Sequence, residues 1–291
     1  MFLLFSFLLI DDFVTVDIGS EYYKVAKSNF NGDPIIMKNE RIGVSIPNAI
    51  AFKSSKPIHY PITNESMDDI EIKFDRQALS LLKKNSSLGF QFIPRLLGRT
   101  NTTTFNTTNL VTPFQAFSLS LFNLFSHLSF SGQVSTVIPH YWTPEQRLYV
   151  SSALSLLRLP VNYIFEDNDV IAILYSQTKT SRFKNSFSIY EARNVLFIDI
   201  GSTTTKIFGF HFYIDNNTAI ASENSYYWSE DIGGYWFRKK LSESLNISMK
   251  KAEKMLKSGE QIKKVVENTQ NITDSLFNLI DLIISYGSCT V

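Results

Sequence analysis

Cysteine is nearly absent from this chain. A single thiol, Cys289, among 291 residues leaves no intrachain disulfide and no cysteine metal cluster, and it leaves the redox compartment open. Excess charge is missing too: 28 Lys and Arg against 27 Asp and Glu give a net charge of +1. No long-range field draws nucleic acid or an anionic membrane, so partners must be read from local sites. The nine uncharged, mostly apolar residues from Phe2 to Ile10 are too few for a membrane span. What is present is ample apolar mass. At 44% hydrophobic residues, the chain has enough for packed cores, and its length suits one large or two medium domains.

The opening "MFLLFSFLLIDDF" has the length of a signal-peptide core, although no basic residue precedes the apolar run and no small-x-small cleavage site follows it. Two readings stand: secretory entry, or a lead-in to the first core strand. Seven Asn-x-Ser/Thr sequons, at Asn64, Asn85, Asn101, Asn106, Asn216, Asn246 and Asn271, suit a glycosylated luminal protein and add little in a chain so rich in Asn, Ser and Thr.

"FVTVDIGS" reads as a strand entering a glycine turn, with a second strand in "YYKVAKSNF". Residues 54 to 112 are rich in Ser, Asn, Thr and Pro and weakly periodic, which predicts a smaller, irregular surface subdomain. "TPFQAFSLSLFNLFSHLSF" then sets Phe114, Phe117, Leu121, Leu124, Phe125 and Leu128 at helical spacing after Pro113, predicting a buried helix. In "QVSTVIPHYWTPEQRLYVSSALSLL" a short strand ends at Pro139. Thr143-Pro144-Glu145-Gln146 then forms a capping box that opens a helix. "VNYIFEDNDVIAILYS" repeats the strand-then-helix order, and "RNVLFIDIGSTTTKIFGFHFYI" is a hairpin with a glycine turn at its middle. The segment 249 to 267 reads as a Lys/Glu-rich helix with Met255, Ile262 and Val266 among its apolar positions. The predicted class is α/β.

One phrase occurs twice outside any repeat array. "VDIGSEYYKVA" and "IDIGSTTTKIF" share Asp-Ile-Gly-Ser-x-x-x-Lys, with Asp17 and Asp199 182 residues apart and each following a hydrophobic strand. A lone copy is an ordinary hairpin turn. Two matched copies imply two similar halves. A strand–turn–strand with Gly and Ser at its tip can offer backbone N–H groups to phosphate oxygens, because glycine permits close approach. Asp at the strand end repels phosphate but can hold a hydrated Mg²⁺ that bridges to it.

These two loops resemble the phosphate loops of the actin-like ATPase domain in the seventy-kilodalton heat-shock chaperones. The similarity runs in order from Phe13 to Tyr286. It takes in "IPNAIAF", "FIPRLLGR", and "STVIPHYWTPEQRL…VNYIFEDNDVIAILYS", which is similar to the family's "VTVPAYF" and "NEPTAAALAYG" segments. It continues through "EDIGGYWFRKKLSESL" near "LGGEDFD", then "KAEKMLKSGEQIKKVVENTQ" and "DSLFNLIDLIISY". The Gly-Ser-Glu tip of the first loop and the apolar start point to the large endoplasmic-reticulum branch of that family, the hypoxia up-regulated, glucose-regulated chaperones. The cytosolic large relatives are the rival.

The resemblance implies an actin-like fold of duplicated ribonuclease-H-like lobes. A signal segment would occupy 1–12 and lobe I 13–190, with an outer subdomain at about 51–111. A partial lobe II would occupy 191–291, with its outer subdomain starting at about 232 and cut short. The implied cofactors are ATP or ADP and Mg²⁺. Asp17 and Asp199 would hold the metal through its waters. Gly19, Ser20, Glu21 and Tyr22 would form the first phosphate loop, and Gly201, Ser202, Thr203 and Thr204 the second. Glu260 and Lys263 match the positions that touch adenosine, although a charged helical face is by itself usually solvated. Asp167 and Thr204 are the catalytic candidates. Asp167 falls where the family has the Glu of "NEPT" and would orient the attacking water; without the resemblance, "EDND" reads as a surface loop.

Departures from the family bear on mechanism. Pro94 stands where the family's "AKRLIGR" has a lysine on the transferred phosphate, and neighbouring Arg95 differs from lysine in reach and geometry. Phosphoryl transfer relies on positioning and charge neutralisation, so the missing cation predicts binding more readily than hydrolysis. Glu21 adds negative charge, and Ser202 and Thr203 replace glycines. The chain stops at Val291, so the resemblance implies truncation, with the client-binding domain elsewhere. The readings are an ATP-binding chaperone domain in the endoplasmic reticulum, alternatively the cytoplasm; a non-hydrolysing co-chaperone or exchange scaffold docking a partner chaperone of the same family; a truncated, degenerate relative; and a sugar or acid kinase, for which no catalytic base stands out. Unfolded clients would be met only through the absent domain. Neither nucleic acid nor a stable membrane span is expected.

Overall fold

The computed structural model describes residues 13–28, 34–38, 43–54, 70–98, 111–128, 132–186, 193–215, 218–258 and 274. The chain divides into two compact units, Met1–Val170 and Ile171–Val291. Both mix helices with sheets, so the class is α/β. The expected signal segment at 1–12 lies outside the described residues.

In the first unit, β1 (Phe13–Ile18), β2 (Tyr22–Ser28) and β3 (Pro34–Ile36) form an antiparallel meander. The short β4 (Ile46–Pro47) also pairs with β2. Across the sheet, β8 (Gln133–Ile138) lies parallel to β1, and β9 (Val161–Glu166) parallel to β8, giving the order β3-β2-β1-β8-β9. The carboxyl ends of β1, β8 and β9 therefore share one edge, where open α/β sheets hold their ligands.

Two helices cover the core, and each opens with a capping box. For α2 (Pro113–Ser126), Gln115 N–H donates to Thr112 Oγ1 at 3.2 Å and Thr112 N–H to Gln115 Oε1 at 2.8 Å. For α3 (Pro144–Leu156), Gln146 N–H donates to Thr143 Oγ1 at 3.2 Å and Thr143 N–H to Gln146 Oε1 at 3.0 Å. The box at Thr143 was legible in the sequence, and the one at Thr112 has the same signature. As the spacing predicts, α2 turns Phe117, Leu121, Leu124 and Phe125 into the core with Val14, Val16 and Ile18. Each such side chain contributes about 1.5–3 kcal/mol when fully buried.

The stretch expected to be irregular is regular where it is described. Strand β5 (Ala49–Ser54) pairs with β6 (Ile70–Phe74) and β7 (Gly89–Gln91), and α1 (Asp75–Leu82) packs Ala78 and Leu82 onto Ala49 and Ala51. Elements this short hold too few apolar residues to show a period.

Helix α4 (Asp167–Ser186) begins in the first unit and runs into the second. There, β10 (Arg193–Ile200), β11 (Thr205–Asp215) and β12 (Thr218–Glu230) form a second antiparallel meander, with a bulge between Phe208 and Phe210. Its core is aromatic: Phe208, Phe210 and Phe212 are buried with Ala172, and Phe197 stacks on Phe208 at 5.4 Å. Helices α5 (Gly234–Ser244) and α6 (Met249–Ser258) bury Leu241, Ala252 and Met255 between them. The predicted helix of 249 to 267 is borne out to Ser258; Ile262 and Val266 lie outside the described residues. Among the described residues, no helix is long and apolar enough to cross a membrane.

Candidate functional site

The repeated octapeptide is a hairpin whose spacing sets an ion pair. Ile18 pairs with Tyr23 and Ile200 with Thr205, so each turn holds four residues, Gly19–Tyr22 and Gly201–Thr204. One step down each ladder, Asp17 faces Lys24 and Asp199 faces Lys206. A seven-residue separation is what a four-residue turn needs to set Asp against Lys. The pairs close at 3.3 Å for Lys24 Nζ to Asp17 Oδ2 and 2.6 Å for Lys206 Nζ to Asp199 Oδ2. Their surroundings differ. The Lys24 and Asp17 side chains are 59% and 44% exposed, whereas Lys206 and Asp199 are 8% and 35% exposed.

Glycine is required by the turns themselves. A Cβ on Gly19 would stand 2.6 Å from the Tyr22 carbonyl oxygen, and one on Gly201 would stand 3.0 Å from that of Thr204, which accepts the Gly201 N–H at 2.9 Å. The first turn is braced by buried Asn48 of "IPNAIAF", whose N–H donates to Glu21 O at 2.8 Å and whose Nδ2 donates to Gly19 O at 3.4 Å. The second turn is braced by the start of α5. Gly234 N–H donates to Gly201 O at 3.0 Å, Tyr235 N–H to Ser202 O at 2.6 Å, and Thr205 Oγ1 to Ile232 O at 2.6 Å. Helix-terminal N–H groups, which lack intrahelical partners, thus hold the turn's carbonyls. Within this turn, Thr203 is 1% exposed and its Oγ1 has no hydrogen-bond partner among the described residues.

Beside the first turn, at the carboxyl ends of β8 and β9, lies a cluster that the sequence reading missed. The Glu166 carboxylate is held by His140 Nδ1 and by the Arg147 guanidinium. Arg147 also donates to Trp142 O at 3.0 Å from Nε and to His140 O at 2.8 Å from Nη2. Burial pushes the Glu166 carboxyl up, and the bonds from Arg147 and His140 outweigh it, leaving it below the ordinary carboxylate range. His140 N–H in turn donates to Asp167 Oδ1 at 3.1 Å. Asp167 is the first residue of α4, followed by buried Asn168, so "EDND" is a helix start and not the surface loop its polarity suggests. An acidic residue there complements the helix dipole. The signal for this cluster was weak, since His140, Arg147 and Glu166 meet only through tertiary structure.

Asp17, Gly19, Ser20, Glu21, Tyr22 and Asp167 thus share the carboxyl edge of the first sheet. Asp199, Gly201, Ser202, Thr203 and Thr204 gather at the glycine turn of the second unit. Glu260 and Lys263 lie outside the described residues. Pro94 is buried in a 3₁₀ turn, Ile93–Leu96, with Arg95 half-buried next to it. A hydrated divalent ion is compatible with Asp17, whose side chain is 44% exposed and pairs with Lys24 at 3.3 Å. It fits Asp199 poorly, because a sheltered ammonium already neutralises that carboxylate. No family model and no curated protein matches the chain.

Proposed function

We propose that the chain is the ATP-binding part of a heat-shock-type chaperone with an actin-like ATPase fold, most like the large endoplasmic-reticulum branch, and that it binds nucleotide more readily than it hydrolyses it. The observation that carries this reading is the pair of equal four-residue glycine turns, each closing the first hairpin of an α/β unit over an Asp–Lys pair. The first turn stands at the carboxyl edge of parallel strands, where phosphates are held, together with Asp167. In this reading the turns Gly19–Tyr22 and Gly201–Thr204 hold phosphates, the Gly201 N–H being excluded because it is bonded to Thr204 O at 2.9 Å. Asp17 would hold Mg²⁺ through water and Asp167, fixed by the His140 N–H, would orient the attacking water; Thr204 is the catalytic candidate of the second turn. Mg²⁺ supplies charge neutralisation when bound.

Weak hydrolysis follows from position 94, where a buried proline supplies no cation to the transferred phosphate. The same proline, with Glu21 on the first turn, favours a second reading, in which the protein binds nucleotide structurally and docks a partner chaperone of its own family. The location proposed is the endoplasmic-reticulum lumen. Asn85 and Asn246, the two sequon asparagines among the described residues, are both exposed, so an endoglycosidase-sensitive mobility shift is expected on secretory expression.

Thermal melting of the purified protein with ATP or ADP, beside a turnover assay, tests the reading. A ligand at one hundred times its Kd stabilises by about 2.7 kcal/mol and, at about 2–4 °C per kcal/mol for a protein of this size class, raises Tm by roughly 5–10 °C. Binding with turnover supports the ATPase, and binding without turnover the scaffold. A melt unmoved by either nucleotide, with and without Mg²⁺, overturns both.

A further inference from the structure

The shared Asp-Ile-Gly-Ser-x-x-x-Lys pattern matches β1 to β10 position by position, so Val16 corresponds to Ile198 and Ile18 to Ile200. The two strands enter matching hairpins in different company. Strand β1 is central, with β2 on one edge and β8, parallel to it, on the other. Strand β10 ends its sheet, which runs β10-β11-β12, and among the described residues it pairs with β11 alone. Burial follows from this. Val16 and Ile18 are 0% and 1% exposed in the core that α2 covers, whereas Ile198 and Ile200 are 46% and 57% exposed. One strand further in, Val25 and its counterpart Ile207 are both 1% exposed. The difference therefore lies at β10 and not in the hairpin as a whole.

An edge strand turns every second N–H and C=O outward and is a template for another strand. Proteins ordinarily blunt such edges with charge or proline. Strand β10, "RNVLFIDI", has no proline, and its five residues 194–198 carry no charge. The first unit shows what the same edge accepts. Strand β8, "QVSTVI", is uncharged, sets Val134 beside Val14 and Thr136 beside Val16, and sends Val134 and Ile138 into the core. The same register in the second unit sets an incoming strand against residues 195–199.

We propose that the outer edge of β10 is a docking site for an extended, uncharged segment of another polypeptide, rich in β-branched residues, which adds parallel to β10 as β8 adds to β1 and shelters Ile198 and Ile200. Main-chain hydrogen bonds supply the affinity, and alternate side chains along the Ile198 and Ile200 face supply the selectivity. The inference uses the second unit alone and is independent of the nucleotide reading.

Hydrogen exchange of the whole chain, with a synthetic peptide of residues 132–139, "GQVSTVIP", tests this. At ten times its Kd the peptide is expected to slow the outward amides of β10 by about tenfold and to leave β1, whose edge β8 already fills, unchanged. The same peptide N-methylated at each residue of its strand cannot pair and is expected to protect nothing. Ile198→Lys places a charge at a half-exposed position, so far-UV circular dichroism and Tm are expected to hold while the protection is lost. No protection of β10, or equal protection by the methylated peptide or in Ile198→Lys, overturns the inference. Outward β10 amides already protected before peptide is added also overturn it: the chain itself covers the edge if that protection is independent of concentration, and a second copy does if it rises with concentration. Should Ile198→Lys fail to fold, the methylated peptide decides by itself.

Discussion

Lys206 Nζ donates to Asp199 Oδ2 at 2.6 Å from a side chain 8% exposed, whereas the equivalent Lys24–Asp17 pair spans 3.3 Å in the open. The same Asp-Ile-Gly-Ser-x-x-x-Lys pattern therefore makes one exposed and one sheltered ion pair. Exposed pairs contribute up to about 1 kcal/mol, so Lys24→Met is expected to change stability by no more than about 1 kcal/mol. Lys206→Met strips a sheltered carboxylate of its partner and is expected to cost about 1–3 kcal/mol. Urea denaturation midpoints distinguish them, and equal losses would contradict the difference in surroundings.

Adjacent glycines at the start of α5 should respond differently to the same change. A Cβ on Gly233 would lie 2.7 Å from backbone atoms of Gly201 and Ser202, so Gly233→Ala must displace the second turn, at about 1–3 kcal/mol. On Gly234 the nearest such atom is 3.8 Å away, and alanine there is expected to be neutral or to stabilise by up to about 1 kcal/mol. Melting temperatures of the two variants check this.

Asp75 titrates against stability. Burial pushes its carboxyl up to about 6 from 3.8, against the hydrogen bond from Asn123 Nδ2 at 3.3 Å and the nearby His127, which lower it. A carboxyl raised in the fold gives stability that is complete below about 4 and lost as pH rises through about 6. Asp75→Asn keeps the acceptor for Asn123 and tolerates the left-handed φ of 56° at this position. It is expected to stabilise by about 1 kcal/mol at pH 7 and to gain nothing at pH 4, measured as unfolding free energy at the two pH values.

Glu166 runs the other way. With its carboxyl held below the ordinary 4.5 by Arg147 and His140 despite burial, its contribution is present above that value and is lost as pH falls through the lowered one. Glu166→Gln is expected to cost about 1–2 kcal/mol at pH 7, with the deficit shrinking in acid. Arg147→Gln also releases the Trp142 and His140 carbonyls and is expected to cost at least as much. A pH-independent deficit in Glu166→Gln would show that packing, rather than charge, holds the cluster.

Much of the fold was readable because its signals are local. The strand into each glycine turn, the Thr143 capping box and the apolar face of α2 each depend on residues within a few positions of one another. The sheet of β5, β6 and β7 was not readable, since its cohesion lies in Ala49, Ala51 and Ala78, small residues that give no periodic signal. The site divided in the same way. Asp17, Asp199 and the turn residues could be named from a repeated phrase, whereas Asn48, His140, Arg147 and Glu166 act through partners that no local pattern marks.

The sequence alone determined the two hairpins: a glycine where a side chain would strike the turn's own carbonyl, and a lysine at the spacing that a four-residue turn sets opposite an aspartate. Both follow from backbone geometry within eight residues. Tertiary structure alone decided that β1 lies beside β8, more than one hundred residues later, that α5 begins against the second turn, and that Lys206 is sheltered while Lys24 is not. Those outcomes depend on which surfaces exclude water together, a property of the packed chain that a shared Asp-Ile-Gly-Ser-x-x-x-Lys pattern cannot specify.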